Sequence, residues 1–226
     1  MSGAMSSPVL LHLDEAVIGY GSRVVLRGCQ LSIAAGEKVA LLGESGAGKT
    51  TLLRQLRALR PADVAWCPQN TGLVPMLSVF HNIFMGRLDR HSFFYNLLNL
   101  VHPLAQPRHD IAALAQQLGL HDKLFTSVDK LSGGQQSRTS LARALYQQRP
   151  IFLGDEPVSA VDEVQADQLL QLICTRHETL VIALHDVALA LRHCNRVIGL
   201  RGGRIALDQP TSACDPAELL RLYAHP

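Results

Sequence analysis

A glycine-rich loop at residues 43–50 has the residue types and spacing that bind phosphate groups. Its glycines let backbone N–H groups surround phosphate oxygens, and a following helix adds partial positive charge at its N-terminus. We expect Lys49 to reach the β- and γ-phosphates, and the hydroxyl of Thr50 to contact Mg²⁺. Kinases, GTPases and ATPases all use such loops. The residues predicted to contact a bound nucleotide here are Gly43, Glu44, Ser45, Gly46, Ala47, Gly48, Lys49, Thr50 and Thr51.

An acidic pair follows the apolar segment 151–153. Asp155, at the end of a predicted strand, is placed to hold Mg²⁺ directly or through water. Glu156 is then placed to orient or deprotonate an attacking water molecule. We expect the two side chains to point to opposite sides, because neighbouring residues alternate across a strand. A solvated strand end is the alternative, but the combination with the phosphate loop favours nucleotide hydrolysis.

Alternating strands and helices are predicted to position these residues. The apolar run 39–42, bounded by glycines, is typical of a strand inside a parallel sheet, and a helix follows at 50–59. Leu52, Leu53, Leu56 and Leu59 share one face of that helix. Further on we predict strands at 151–153 and 180–184, and helices at 164–175 and 216–223, with a hairpin around 201–204. Such alternation predicts an α/β fold with a parallel sheet.

The N-terminal and middle parts of the chain follow different patterns. Short β-favouring runs at 9–13 and 24–26 enclose a turn at 19–22, which predicts an antiparallel β part. From about residue 77 to 148 the pattern is mostly helical, most clearly at 111–118 and 135–147. We therefore predict a P-loop NTPase type of α/β fold. Its core comprises residues 1–69 and 150–226, and 70–149 form an inserted helical subdomain.

The composition excludes several classes of protein. The 226 residues carry a net charge of only +2 and are 47% hydrophobic, which argues against disorder and against a basic nucleic-acid-binding surface. The five cysteines include no CxxC pair, so neither zinc nor a disulfide framework is expected. We see no signal peptide and no apolar run near the roughly 20 residues of a spanning helix. Any membrane function therefore requires a partner.

The segment Leu-Ser-Gly-Gly-Gln at 131–135, followed by a helical run at 137–145, resembles the signature motif of ABC nucleotide-binding domains. With the phosphate loop and the acidic pair, the chain resembles such a domain from end to end. The resemblance implies a head-to-tail homodimer, or a heterodimer with a related ATPase subunit, with two ATP molecules between the subunits. It further implies that these residues complete the ATP site of the facing subunit: Ser132, Gly133, Gly134 and Gln135.

The resemblance also implies roles for residues that spacing alone does not single out. Tyr20 resembles the aromatic residue that stacks on adenine, although a turn tyrosine is the alternative. Gln69 resembles the Q-loop glutamine that contacts Mg²⁺ and water, and His185 the histidine that contacts the γ-phosphate. Segment 159–162 resembles the D-loop at the dimer interface. The implied catalytic residues are Lys49, Gln69, Glu156 and His185, and the implied Mg²⁺ ligands are Thr50, Gln69 and Asp155.

The stretch from Lys49 to Gln69 is shorter than in most members of the family, which carry an additional strand pair there. The resemblance therefore does not predict the structure of the sheet edge near the adenine. The implied catalytic residues are unaffected by this difference.

Segments 72–79, 82–88 and 197–204 resemble the ATPase subunits of phosphonate or phosphite importers. This resemblance implies a peripheral protein on the cytoplasmic side of a bacterial inner membrane, with a permease and, indirectly, an extracytoplasmic solute-binding protein as partners. The aromatic residues within 91–95 either dock the permease or belong to the helical core. The ATPase of an efflux or lipoprotein-release system, or a soluble ABC ATPase, is the alternative function.

Overall fold

The computed structural model describes residues 7–20 and 23–223, except for the side chains of Tyr20 and Arg221. Its strands are β1 Val9–Tyr20, β2 Arg23–Ala34, β3 Lys38–Leu42, β4 Val64–Cys67, β5 Ile151–Asp155, β6 Thr179–Ala183, β7 Arg196–Arg201 and β8 Arg204–Pro210. Its helices are α1 Lys49–Leu59, α2 Val79–Phe84, α3 Phe93–Val101, α4 Ala105–Gln117, α5 Gly133–Tyr146, α6 Glu163–Arg176, α7 Val187–His193 and α8 Pro216–Leu220. Short 3-10 segments lie at Met85–Arg90, His121–Lys123, Val128–Lys130, Thr211–Ala213 and Arg221–Tyr223.

The main sheet has the strand order β4-β5-β6-β3-β7-β8. The five strands β4, β5, β6, β3 and β7 are parallel to one another. The edge strand β8 pairs with β7 in the antiparallel direction. Strands β1 and β2 form a separate antiparallel pair. This arrangement confirms the predicted fold class. It also places the carboxyl ends of β3, β4, β5 and β6 at one edge of the sheet.

Both faces of the main sheet are covered, which explains the continuous apolar run in β3. Val39 and Leu41 pack in a cluster with α1 and the β1–β2 pair, whereas Ala40 and Leu42 belong to a cluster on the opposite face. Successive strand residues point to opposite faces, so a strand covered on both sides has no polar alternation.

The helical segment packs directly on the second face. Ile83 of α2, Ile111 of α4 and Leu145 of α5 belong to the same buried cluster as Leu42. The predicted subdomain boundaries at 70 and 149 stay a prediction, because this cluster is continuous across them. Among the described residues, no helix has both the length and the apolar character needed to span a bilayer.

Two secondary-structure elements, one strand and one helix, were not predicted from the sequence. The strand β4 has only four residues and is stabilised by its register with β5, in which Val64 pairs with Ile151. Helix α7 has seven residues and is capped by the preceding residue, Asp186, whose side chain accepts a hydrogen bond from the backbone N–H of Leu189. Both are too short to produce a clear periodic pattern.

The short connection after α1 is confirmed. Leu59, on the predicted apolar face of α1, is the last residue of the helix and is 40% exposed, whereas Leu52, Leu53 and Leu56 are buried. The chain then turns at residues 60–63, where Arg60 pairs with Asp63, and enters β4 directly. Only β4 lies between α1 and Gln69.

Candidate active site

The carboxyl ends of four adjacent strands bring the predicted site residues together. The phosphate loop follows β3, Gln69 follows β4, Glu156 follows β5, and His185 follows β6. These strands are consecutive in the order β4-β5-β6-β3, so residues far apart in sequence meet at one sheet edge. Ligands of open α/β sheets bind at this edge.

Two glycines of the phosphate loop occupy positions that no other residue fits without strain. Gly43 has a φ of 143°, and a Cβ atom there would lie 2.3 Å from the carbonyl oxygen of Leu200. Gly48 has a φ of 107° at the start of α1, and a Cβ atom there would lie 2.8 Å from the side chain of Leu26. The loop therefore curls over a cavity of about 300 Å³, whose walls include Ser45, Lys49, Thr50, Thr51, Gln69 and Glu156.

Lys49 is held inside the loop. Its Nζ donates hydrogen bonds to the carbonyl oxygens of Gly43, at 2.7 Å, and Glu44, at 3.0 Å. Burial lowers the pKa of Lys49, and the nearby negative charges of Glu156 and Asp155 oppose that shift. An ammonium group has three donors, so a third donor remains for a phosphate oxygen in the cavity that Lys49 lines.

Asp155 and Thr50 form the part of the site that fits a divalent cation. Asp155 is buried, its Oδ1 has no hydrogen-bond partner among the described residues, and its carboxylate forms a side-chain hydrogen bond with Thr50. Burial raises the pKa of Asp155, and the bond to Thr50 opposes the shift. No cluster of three or more His, Cys, Asp or Glu side chains with metal-binding geometry occurs in the described chain. An oxygen-rich site that relies on phosphate and water ligands is characteristic of Mg²⁺.

Glu156 lies at the centre of a hydrogen-bonded group. Its Oε1 lies 2.6 Å from Nε2 of His185, and its Oε2 accepts a hydrogen bond of 3.2 Å from Nε2 of Gln69. The expectation that Asp155 and Glu156 alternate across a strand is wrong. Asp155 is the last residue of β5, and Glu156 has left the strand with a φ of 54°. This left-handed conformation, unusual for a residue with a side chain, is typical of functional sites.

The signature segment forms the start of α5 at a distance from this group. Ser132 Oγ accepts a hydrogen bond from the backbone N–H of Gln135, and the Gln135 side chain accepts one from the backbone N–H of Ser132, which together form a capping box. Among the described residues that line the phosphate-loop cavity, none belongs to the segment Ser132, Gly133, Gly134 and Gln135. The structure therefore does not bring the signature to the phosphate loop of its own chain.

Tyr20 and segment 159–162 are the remaining predicted features of the site. The side chain of Tyr20 lies outside the described residues, so its predicted stacking on adenine is not described. In segment 159–162, the hydroxyl of Ser159 donates to the carbonyl oxygen of Glu156, and Asp162 accepts a hydrogen bond at the start of α6. The sequence analysis missed Arg23, which lines the cavity from β2. Its position three residues after Tyr20, across a predicted turn, was the available signal.

A comparison with protein families decides the class of the chain. Residues 26–159 match the family model described as ABC transporter. The chain belongs to the ABC transporter family. As a member of this family it binds ATP and is an ATPase, as the phosphate loop and the acidic pair predicted.

Curated relatives match over nearly the whole chain. A phosphonates import ATP-binding protein PhnC of Pseudomonas entomophila is 39% identical, and the match covers 95% of this chain and 92% of the relative. A phosphonates import ATP-binding protein PhnC 1 of Pseudomonas aeruginosa is 40% identical, and the match covers 100% of this chain and 92% of the relative. The second alignment runs over 255 positions, whereas this ABC chain has 226 residues, so about 29 residues of the relative have no counterpart.

Solved structures show the same fold. The dimeric ATP-binding cassette MJ0796, in a post-hydrolysis state bound to ADP and Pi, superimposes with a TM-score of 0.75 at 23% identity, covering 89% of this chain and 99% of that one. A bacterial Atm1-family ABC exporter with ATP bound superimposes with a TM-score of 0.74 at 24% identity, covering 100% of this chain and 44% of that one. Since an exporter shares this fold, the fold alone does not establish the direction of transport.

Proposed function

We propose that this chain is the ATP-hydrolysing subunit of an importer for phosphonates or a related oxyanion. The observation that best supports the proposal is the 40% identity over the entire chain to a phosphonates import ATP-binding protein. The arrangement of Lys49, Asp155 and Glu156 at one sheet edge agrees with an active rather than a degenerate ATPase.

In the proposed mechanism, Glu156 accepts a proton from the water that attacks the γ-phosphorus. The bond from this phosphorus to the β–γ bridging oxygen breaks, and ADP and inorganic phosphate are the products. A carboxylate can only accept hydrogen bonds, so Nε2 of His185 and Nε2 of Gln69 both donate to the Glu156 carboxylate and fix its orientation. A fixed base with both oxygens in defined directions is the arrangement that general-base catalysis needs. Upon nucleotide binding, His185 contacts the γ-phosphate.

Lys49, Thr50 and Asp155 bind the substrate in this proposal. The ammonium of Lys49 contacts the β- and γ-phosphates, and the hydroxyl of Thr50, the carboxylate of Asp155 and the amide of Gln69 hold Mg²⁺. The ion, when bound, supplies positive charge to the phosphate oxygens. The unpartnered Oδ1 of Asp155 is the observation that supports its place in this set.

The signature segment acts on the second subunit of a dimer. The N–H groups at the start of α5 form an anion site, because helix N-termini carry partial positive charge. Since this segment does not line the cavity of its own chain, a head-to-tail dimer supplies it to the partner's ATP. ATP binding then closes the dimer, and hydrolysis reopens it.

An apolar surface on the helical segment is the proposed contact with a membrane permease. Phe93 and Phe94 at the start of α3 are 72% and 80% exposed, beside a groove lined by Leu77, Phe84, Met85, Leu88, Leu97 and Leu100. Tyr95, in contrast, turns inward and stacks on His91 at 4.4 Å. Exposed apolar patches of this kind mark interaction sites. We therefore place the protein on the cytoplasmic face of the inner membrane, with a solute-binding protein as an indirect partner.

Purification of the tagged chain from gently solubilised membranes tests the proposal. We expect a permease and a solute-binding protein, and ATPase activity in proteoliposomes that rises when methylphosphonate is added with that binding protein. A double substitution Phe93→Ser and Phe94→Ser is expected to lose the permease while the isolated chain keeps its melting temperature. Recovery of a permease without a solute-binding protein would favour efflux, and recovery of soluble partners alone would exclude transport.

A further inference from the structure

A second polar cavity lies between the helical segment and the core, apart from the candidate active site. Its volume is about 290 Å³, and its walls come from the segment after α2, from α4, from the end of α5 and from the end of α6. The polar residues of these walls are Arg87, His109, Asp110, Tyr146, Gln148 and Arg176. Among the described residues, the two cavities share no lining residue.

Arg87 is fixed in the wall of this cavity with part of its hydrogen-bonding capacity unused. Its Nε donates to the carbonyl oxygen of Tyr146, and its guanidinium carbon lies 4.0 Å from the centre of the Tyr146 ring. Its Nη2 is buried and has no hydrogen-bond partner among the residues that the structure describes. A buried donor without an acceptor is unfavourable, and for a charged group the penalty is larger. A negative charge in the cavity that Arg87 lines would offset part of this penalty electrostatically.

Other cations surround the same cavity. Arg176 also lines this cavity, and its Nη2 donates to the side chain of Gln117 at 2.8 Å. Arg90 donates to the carbonyl oxygen of Gln148, a wall residue, at 3.1 Å. Burial lowers the pKa of Arg90, and the positive charges of Arg149 and Arg87 lower it further, which indicates that these cations repel one another.

Few negative charges balance this group. Arg149 forms an ion pair with Asp89, whereas Arg87, Arg90 and Arg176 form no ion pair within the part of the chain that the structure describes. Asp110 is the carboxylate in the cavity wall, and it accepts a hydrogen bond from Gln106 at 2.9 Å. The cavity therefore has a surplus of positive charge and of N–H donors, which is the complement of a small oxyanion.

We propose that this cavity binds a tetrahedral oxyanion of the phosphate class between Arg87 and Arg176. The two arginines belong to different parts of the fold, one to the segment after α2 and the other to the end of α6, so the bound anion joins the helical segment to the core. The anion has two possible sources, the phosphate released by ATP hydrolysis and a transported oxyanion. The proposal does not depend on which solute is transported.

The test is a calorimetric titration of the full chain with inorganic phosphate, in which a non-hydrolysable ATP analogue and Mg²⁺ first fill the phosphate loop. Arg87→Gln and Arg176→Gln are each expected to weaken binding by at least about tenfold, because each removes a charged hydrogen bond. Arg60→Gln is the matched control, with the same charge change at a site paired with Asp63, and should change affinity by less than about twofold. Asp110→Asn should strengthen binding about threefold, a gain that misfolding cannot produce.

Parallel titrations with methylphosphonate identify the source of the anion. Similar affinity for both ligands supports recognition of the shared tetrahedral group, and binding of only one supports that ligand as the physiological one. The proposal is overturned if neither inorganic phosphate nor methylphosphonate produces heat once the phosphate loop is filled. It is equally overturned if binding survives both Arg87→Gln and Arg176→Gln, since the ion would then occupy a different, adventitious position.

Discussion

Replacement of Glu156 by glutamine isolates the role of its charge. The amide has nearly the shape of the carboxylate, and Gln69 can turn its own amide over to present an oxygen, so contacts with His185 and Gln69 can persist. What is lost is the proton acceptor and the charge that strengthens the 2.6 Å bond to His185. Loss of a general base lowers rates by about 10²–10⁴-fold. We therefore expect kcat to fall at least about 100-fold, while nucleotide affinity changes less than about threefold because Lys49 and the loop are unaltered.

The two neighbours of Glu156 should have smaller, ranked effects. His185 forms the shorter, charge-assisted bond but is half-exposed, so His185→Ala is expected to lower kcat about tenfold. Gln69 forms a longer bond of 3.2 Å from a neutral donor, so Gln69→Ala is expected to lower kcat about fivefold. In both variants, altered contacts with the nucleotide can add to the loss.

Phosphate release under multiple turnover, together with titration of a fluorescent ATP analogue, measures both quantities on the same preparations. A Glu156→Gln variant that hydrolyses ATP within about threefold of the wild-type rate would refute its role as the base. A larger loss of kcat from Gln69→Ala than from Glu156→Gln would refute the central role of Glu156 in the hydrogen-bonded group.

Three further predictions concern binding and stability. Lys49→Ala should weaken ATP-analogue binding at least about tenfold by fluorescence titration, because the buried ammonium is the charge inside the loop. Gly43→Ala should destabilise the fold by about 2 kcal/mol or more, since its Cβ would meet the carbonyl oxygen of Leu200. Gly46→Ala, with open space at a φ of 84°, should lower the melting temperature less, and equal losses would contradict the steric argument. His177 is buried and its pKa is lowered to about 4, so the unfolded chain binds more protons between that pH and about 6.5. The free energy of unfolding should therefore fall by about 2 kcal/mol from pH 7 to pH 5 through this residue, and urea titrations of His177→Phe should show a correspondingly flatter pH dependence.

The motifs of the site could be predicted because each is local. The phosphate loop is one strand, one turn and one helix in sequence, and its glycines have φ angles that the motif requires. Asp155 and Glu156 follow a buried apolar run that is recognisable without any partner. Their conformation was not predictable, because the left-handed backbone of Glu156 depends on the chain leaving β5 toward α6.

Which side chains of residues 91–95 are exposed could likewise not be predicted from the sequence. Residues 91–95 are aromatic or polar in a pattern that fits either a core or a docking surface. In the structure Phe93 and Phe94 face outward, whereas Tyr95 packs inward. The direction of each side chain is set by how α3 lies on its neighbours, and a helix of nine residues has too few turns to specify that from its own pattern.

The sequence by itself determined the alternation of strands and helices, the phosphate loop and the acidic pair, since short-range periodicity, turn chemistry and residue spacing specify them. The signature segment was identified from the sequence by its resemblance to the motif of ABC nucleotide-binding domains. Only the tertiary structure decided that Gln69, Glu156 and His185 meet, across separations of 87 and 29 residues. It also decided that Arg87 and Arg176 share a cavity. The physical reason is that strand order and helix packing arise from burial of apolar faces over the whole chain, which no local pattern encodes.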